Sequence, residues 1–160
     1  MQERSTAVPA VYLIMKRGST VLLLRRKNTG YYDGWYELPA GHVDAGELPI
    51  DAVVREAHEE LGITVYKHDV TLAHVMYRTK HDVTGDRADY FFMVHQWQGV
   101  PRINEPEKCN DLRYCSPLTL PENTVHHVAE ALRFISRGVL YSELSPDQMP
   151  IDLHLLRTVK

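Results

Sequence analysis

The sequence predicts an α+β domain in which a mixed β-sheet lies between helical layers, and three observations carry that expectation. Segments that read as strands, rich in valine, isoleucine, leucine and tyrosine, outnumber the helical ones. Only two segments repeat their apolar residues at helical spacing, and they stand far apart in the chain, which suits helices laid on a sheet. The length, 160 residues with 44% hydrophobic and 24% charged side chains, is that of one ordinary soluble domain. A chain of this size buries roughly two-thirds of the surface it would expose unfolded, so its core needs no metal or disulfide.

Residues 1–7 are polar and loosely attached. Val8 to Met15 reads as a strand, Lys16 to Ser19 as a turn and Thr20 to Arg26 as a second strand, giving an antiparallel hairpin that ends on Arg25 and Arg26. Residues 27–34 carry two glycines, an Asn and an Asp and form an exposed loop, with Tyr31 and Tyr32 adjacent in it. Trp35 to Leu38 is a short strand ended by Pro39. A helix is expected over about Pro49–Leu61: the proline sits where no helical hydrogen bond is lost, Asp51 complements the positive helix end, and Gly62 stops it.

Val65 to Tyr77 and Asp89 to Trp97 form a long antiparallel pair around a polar loop, Arg78 to Arg87. Residues 98–109 make an acidic, proline-bearing loop, and Leu112 to Ser116 a short strand. Asn123 or Thr124 caps a second helix, whose Val125, Val128, Ala129, Leu132 and Ile135 face the core, with Gly138 as its stop. One domain therefore spans 1–160, its core at about 8–138, followed by a C-terminal tail over 139–160 whose last apolar patch is Ile151 to Leu156.

A formal charge of −3 and a pI near 6.3 leave no basic footprint for long nucleic acid, while a small anionic ligand carried with a divalent cation stays compatible. With neither a secretory signal nor a run of about 18 apolar residues, the expected compartment is cytoplasmic and no membrane partner is expected. Cys109 and Cys115 lack a paired-cysteine motif and nearby paired histidines, and read as reduced structural thiols.

The chemistry concentrates in Gly41–Ile63. On a helix Glu56, Glu59 and Glu60 stand at i, i+3 and i+4, so three carboxylates can converge, while Ile50, Val53, Val54, Ala57 and Leu61 form an apolar stripe for burial against the sheet. Carboxylates on adjacent turns repel unless cations are present, and hard oxygen ligands of this kind suit Mg²⁺ or Mn²⁺ with substrate phosphates. Gly41, Glu47, Arg55, Glu56, Ala57, Glu59, Glu60, Gly62 and Ile63 match the Nudix box: Gly, five residues, Glu, seven residues, Arg-Glu, an aliphatic residue, any residue, Glu-Glu, any residue, Gly and an aliphatic residue. Leu38-Pro39-Ala40-Gly41 precedes the box as Leu-Pro-Gly-Gly does in many members, with Ala40 replacing a glycine. The chain thus resembles the Nudix hydrolase family, in its MutT-like branch.

That resemblance implies an α/β/α sandwich and an enzyme that hydrolyses a nucleoside diphosphate linked to a moiety X. The leading substrate is a (deoxy)nucleoside triphosphate, cleaved to NMP and pyrophosphate, ahead of ADP-ribose or another nucleotide sugar. A Nudix-fold module that binds a nucleotide without cleaving it is the alternative of another class. The Gly41 carbonyl with Glu56, Glu59 and Glu60 would hold Mg²⁺, or Mn²⁺, and Arg55 would orient Glu56 or Glu59 while pairing with Glu47. The general base is Glu56 or a glutamate outside the box, Glu105 or Glu107. Arg26, or its neighbour Arg25, would meet phosphate or else pair with acidic residues as structure; Tyr31, Tyr32 or Trp35 would stack on the base or else simply pack; Asn123 resembles a base-reading asparagine when it is not simply a helix cap. His42 and His58 occupy unspecified box positions and are assigned no metal. The implied partner is a small nucleotide, and the implied state a monomer or homodimer.

Overall fold

The computed structural model describes residues 4–82, 85–145 and 148–152. Its strands are β1 (Ala7–Arg17), β2 (Thr20–Arg26), β3 (Tyr36–Glu37), β4 (Ala40–His42), β5 (Val70–Asp82), β6 (Gly85–Val94), β7 (Cys109–Cys115), β8 (Tyr141–Ser145) and β9 (Gln148–Asp152), and its helices α1 (Pro49–Leu61) and α2 (His126–Ser136). The sheet runs β3-β2-β1-β6-β5-β8-β9, with β4 paired to β1 and β7 to β2. It is mixed, because β1 with β6 and β5 with β8 run parallel and the remaining pairs antiparallel.

β1 is buried on both faces, as a central strand flanked by helical layers must be. Its Ala10, Tyr12 and Ile14 join Met76, Phe91 and the apolar side of α2, whereas Val11, Leu13 and Met15 join Phe92, Val94 and the apolar side of α1. Each large side chain removed from water on either face contributes about 1.5–3 kcal/mol. β1 also forks. It pairs with β2 only through Lys16↔Val21 and Arg17↔Thr20; β2 then leaves for β3 and β7, and β4 takes its place against Ala10–Tyr12. The cleft at this fork positions the site.

The expected hairpin, the first helix and the long β5–β6 pair are all present. Elsewhere the structure corrects the sequence. The supposed loop over 78–87 is mostly strand, since β5 runs to Asp82 and β6 starts at Gly85; Arg78 and Arg87, paired in register, line a cavity. The supposed tail begins as β8 and β9, extending the sheet from β5, while 153–156 of its apolar patch lie outside the described residues. In α1 the buried stripe includes Ala52, and Val54 is only half-buried. In α2, Ala131 and Phe134 are buried where Ala129 and Ile135 are half-buried. Neither Asn123 nor Thr124 caps α2, whose N-cap is Val125 without a side-chain bond. Residues 123–125 continue extended beside β3 instead, Asn123 O accepting from Tyr36 N and Val125 N donating to Tyr36 O, both at 2.8 Å.

Candidate active site

The site is assembled by α1 and the loop before it. Pro49 opens the helix, and Gly62 closes it in the left-handed region at φ 65°, its N–H donating to the His58 carbonyl while the Ile63 N–H donates to the Ala57 carbonyl. With Val53, Ala57 and Leu61 locked into the core, Glu56 is turned inward at 8% exposure against β4. There Gly41 leaves room for it: a Cβ on it would lie 1.8 Å from Glu56 Oε1, so that carboxylate would have to shift.

Arg55 ties these parts together. Its Nε and Nη2 donate to the two oxygens of Glu47 at 2.9 and 3.0 Å, a fork-to-fork pair. Its Nη1 donates to Glu56 Oε1 at 2.5 Å and to Glu59 Oε2 at 3.1 Å, and Nη2 also reaches the His42 carbonyl at 2.9 Å. Loop and helix are thus fixed by one guanidinium. The Ala40 N–H donates to Glu60 Oε2 at 2.9 Å, anchoring the third carboxylate to β4.

Electrostatics follow the geometry. Arg55 holds the Glu47 carboxyl below its ordinary range. Burial pushes the Glu56 carboxyl up against the pull of Arg55, and burial, then Glu37 and Glu56, push Glu60 well up. Among the described residues no three carboxylate, imidazole or thiolate groups are already gathered tightly enough to grip an ion. The donor set nonetheless fits a hard cation: crowded, desolvated carboxylates beside a Cβ-free backbone are what a divalent charge relieves.

A cavity of about 750 Å³ runs from these carboxylates across the sheet fork. Gly41, Arg55, Glu56, Glu59, Glu60, Arg25, Arg26, Tyr31 and Glu105 all line it; Glu47 stands just behind Arg55. Arg26 is heavily engaged, its Nε on the Tyr31 carbonyl at 2.6 Å, its Nη2 on Thr29 Oγ1 at 2.9 Å, and its Nη1 on Glu37. Tyr32, Trp35, Asn123, Glu107 and His58 do not line the cavity. Tyr32 and Trp35 pack on the α2-side core, and Asn123 donates to the Gly34 carbonyl at 2.7 Å, bracing the 27–35 loop. Cys109 and Cys115 are free thiols whose pKa burial raises.

Sequence reasoning missed four contributors. Asn104 Nδ2 donates to the Glu59 and His58 carbonyls at 3.0 and 3.3 Å, and its N–H to the Glu60 carbonyl at 3.0 Å. It thereby satisfies the open carbonyls at the end of α1 and docks the loop bearing Glu105. Lys108 binds Glu105 Oε1 at 2.7 Å. Arg78 and Arg87 lie on the cavity wall, from the segment read as a loop. The available signal was the period-2 placement of Arg87, Asp89 and Phe91, which turns one face inward.

Known proteins share the sequence pattern and fold of this chain. The NUDIX domain model matches residues 4–135. A protein of Escherichia coli (strain K12) named 8-oxo-dGTP diphosphatase is 31% identical over 94 residues, covering 58% of this chain and 68% of that protein. A Methanocaldococcus jannaschii protein named ADP-ribose pyrophosphatase is 42% identical over 57 residues, only 34% of this chain and 33% of that one. Among solved structures, a MutT NUDIX hydrolase from Burkholderia pseudomallei superposes with a TM-score of 0.71 at 29% identity, over 80% of this chain and 97% of its own.

Proposed function

The chain belongs to the NUDIX family and is a Nudix hydrolase, and on that premise we propose that it is a Mg²⁺-dependent pyrophosphohydrolase of (deoxy)nucleoside triphosphates. The observation that carries this reading is the meeting of Glu56, Glu59, Glu60 and Glu105 with Arg25, Arg26 and Lys108 in the lining of one cavity. The relative named 8-oxo-dGTP diphosphatase supports the triphosphate over other nucleotides. A second reading, ADP-ribose, rests on a match to a third of its relative and ranks below it.

In this reaction water attacks a phosphorus of the anhydride, the bridging P–O bond breaks, and NMP and pyrophosphate leave. The Gly41 carbonyl, Glu56, Glu59 and Glu60 would hold Mg²⁺, with Mn²⁺ as a substitute. When bound, such a cation neutralises charge developing on the phosphate oxygens and makes water easier to ionise. Glu56 or Glu105 takes the proton from the attacking water; both line the cavity, which Glu107 does not. Arg55 keeps Glu56 and Glu59 in register, and Lys108 and Arg25 offer charge to the phosphates. We further propose a single domain over 1–160, working in the cytoplasm as a monomer or homodimer; no described helix is long and apolar enough to cross a membrane.

Pyrophosphate release from a nucleotide panel with Mg²⁺, repeated for Glu59→Gln and Glu60→Gln, tests the reading. Loss of at least about a hundredfold in kcat is expected in both variants. Unchanged turnover in both would remove the assigned metal carboxylates, and binding without turnover on any nucleotide would favour a non-catalytic module.

A further inference from the structure

The cavity end remote from α1 holds two arginines that hydrolysis itself leaves unused. Arg78 on β5 and Arg87 on β6 are register partners across an antiparallel ladder, both line the cavity, and their exposures are only 5% and 6%. Like charges set opposite each other weaken a ladder, and a buried guanidinium is costly unless its donors are met. Asp89, fully buried two residues along β6, accepts from Arg78 through both of its oxygens and feels the charge of Arg87 as well. Arg78 also hydrogen-bonds the Tyr31 hydroxyl, and Arg87 donates to the Asp86 carbonyl at 3.4 Å.

Asp89 is not a lining residue, whereas Arg78 and Arg87 both are. A guanidinium carries five N–H donors and no acceptor, so the polar groups these two side chains bring to the cavity are donors. Strand order separates these arginines from the hydrolytic carboxylates. β1 intervenes between β4 and β6, and β6 again before β5, which amounts to about 10 Å and about 14 Å at one strand spacing each. A nucleotide whose diphosphate lies beside Glu56, Glu59 and Glu60 extends its other end toward Arg87 and Arg78.

Resting on the proposed nucleotide hydrolysis, we propose that Arg87 and Arg78 determine specificity by reading a keto oxygen on the base, with Asp89 as the positioning residue behind Arg78. Bases with a keto oxygen at purine C6 or pyrimidine C4 are preferred over those with an amino group there. An amino group aimed at a guanidinium sets donor against donor and leaves both unmet. Tyr31, held between Arg26 and Arg78, closes the wall above the base.

The test compares dGTP, dITP and dUTP with dATP and dCTP in pyrophosphate release with Mg²⁺, alongside calorimetric titration of dGMP and dAMP. Wild type, Arg87→Gln and the joint variant Arg78→Gln with Asp89→Asn are compared, the last neutralising the pair together so that no buried charge is orphaned. In the wild type, kcat/KM should favour the keto substrates at least about tenfold, mainly through KM, and dGMP should bind at least about tenfold more tightly than dAMP. Both ratios should fall to within about twofold of one in Arg87→Gln. If that variant fails to fold, Arg87→Lys, which keeps the charge and loses the planar fork, supplies the comparison. Turnover without keto preference, or a preference unchanged in the variants, overturns the base assignment and leaves hydrolysis standing. Absence of turnover on every triphosphate overturns the hydrolytic reading, and the monophosphate titrations then decide the base assignment alone.

Discussion

Gly41 and Glu56 approach so closely that a single added carbon on the first would stand 1.8 Å from a carboxylate oxygen of the second. The glycine of the box therefore leaves its space to the glutamate fifteen positions later, and no unusual backbone angle calls for it, since Gly41 is absent from the positive-φ residues.

Gly41→Ala should accordingly displace Glu56 and cost about a hundredfold in kcat, the scale of a 1 Å misplacement of a reacting group. Overpacking should also lower stability by about 1–3 kcal/mol. Steady-state kinetics with a denaturant melt separates the two effects; wild-type kcat in the variant would mean that Glu56 has no place in the chemistry.

Arg55→Lys should behave unlike a conservative change. A lysine offers one point of charge where Glu47, Glu56, Glu59 and the His42 carbonyl now share a planar fork. A loss of about 10–100-fold in kcat/KM is expected, with weaker apparent affinity for Mg²⁺, as for other groups that hold a metal ligand in place. Titrating Mg²⁺ at saturating nucleotide checks it.

How much of this was legible depended on how local the determinants are. α1 came out to the residue because Pro49, its apolar stripe and Gly62 all act within the segment itself. The roles of Arg78, Arg87 and Asn104 were not legible, because each depends on a strand or helix end brought near by the fold. The start of α2 failed for the same reason: Asn123 has the chemistry of a cap, but the Gly34 carbonyl on another loop takes its side chain. A polar run such as 78–87 reads as a loop until one knows that a cavity lies beside it.

Asn104→Ala removes the amide that closes the Glu59 and His58 carbonyls and docks the loop of Glu105. Stability should fall by about 1 kcal/mol, the worth of an ordinary hydrogen bond. Turnover should fall several-fold if Glu105 works in the cavity, and hydrogen exchange over 98–108 should rise. Faster exchange with unchanged turnover would limit Glu105 to a structural part.

His74 sets an acid limit on stability well away from the carboxylates. It is fully buried, one ring nitrogen 2.8 Å from the Val139 carbonyl and the other 2.7 Å from Ser142 Oγ, between the rings of Phe91 and Phe134. Burial lowers its pKa from the ordinary 6.5, against the opposing pull of the Val139 carbonyl. The unfolded chain therefore binds the proton first: the stability tied to neutral His74 is complete above pH 6.5 and is lost as pH falls from there toward the folded pKa. The slope contributed by this one group reaches at most about 1.4 kcal/mol per pH unit. Urea melts between pH 5 and 8 should show the decline in wild type and a flatter profile in His74→Gln, although that variant starts from a lower plateau. A profile of equal slope in both proteins would assign the acid loss to other groups.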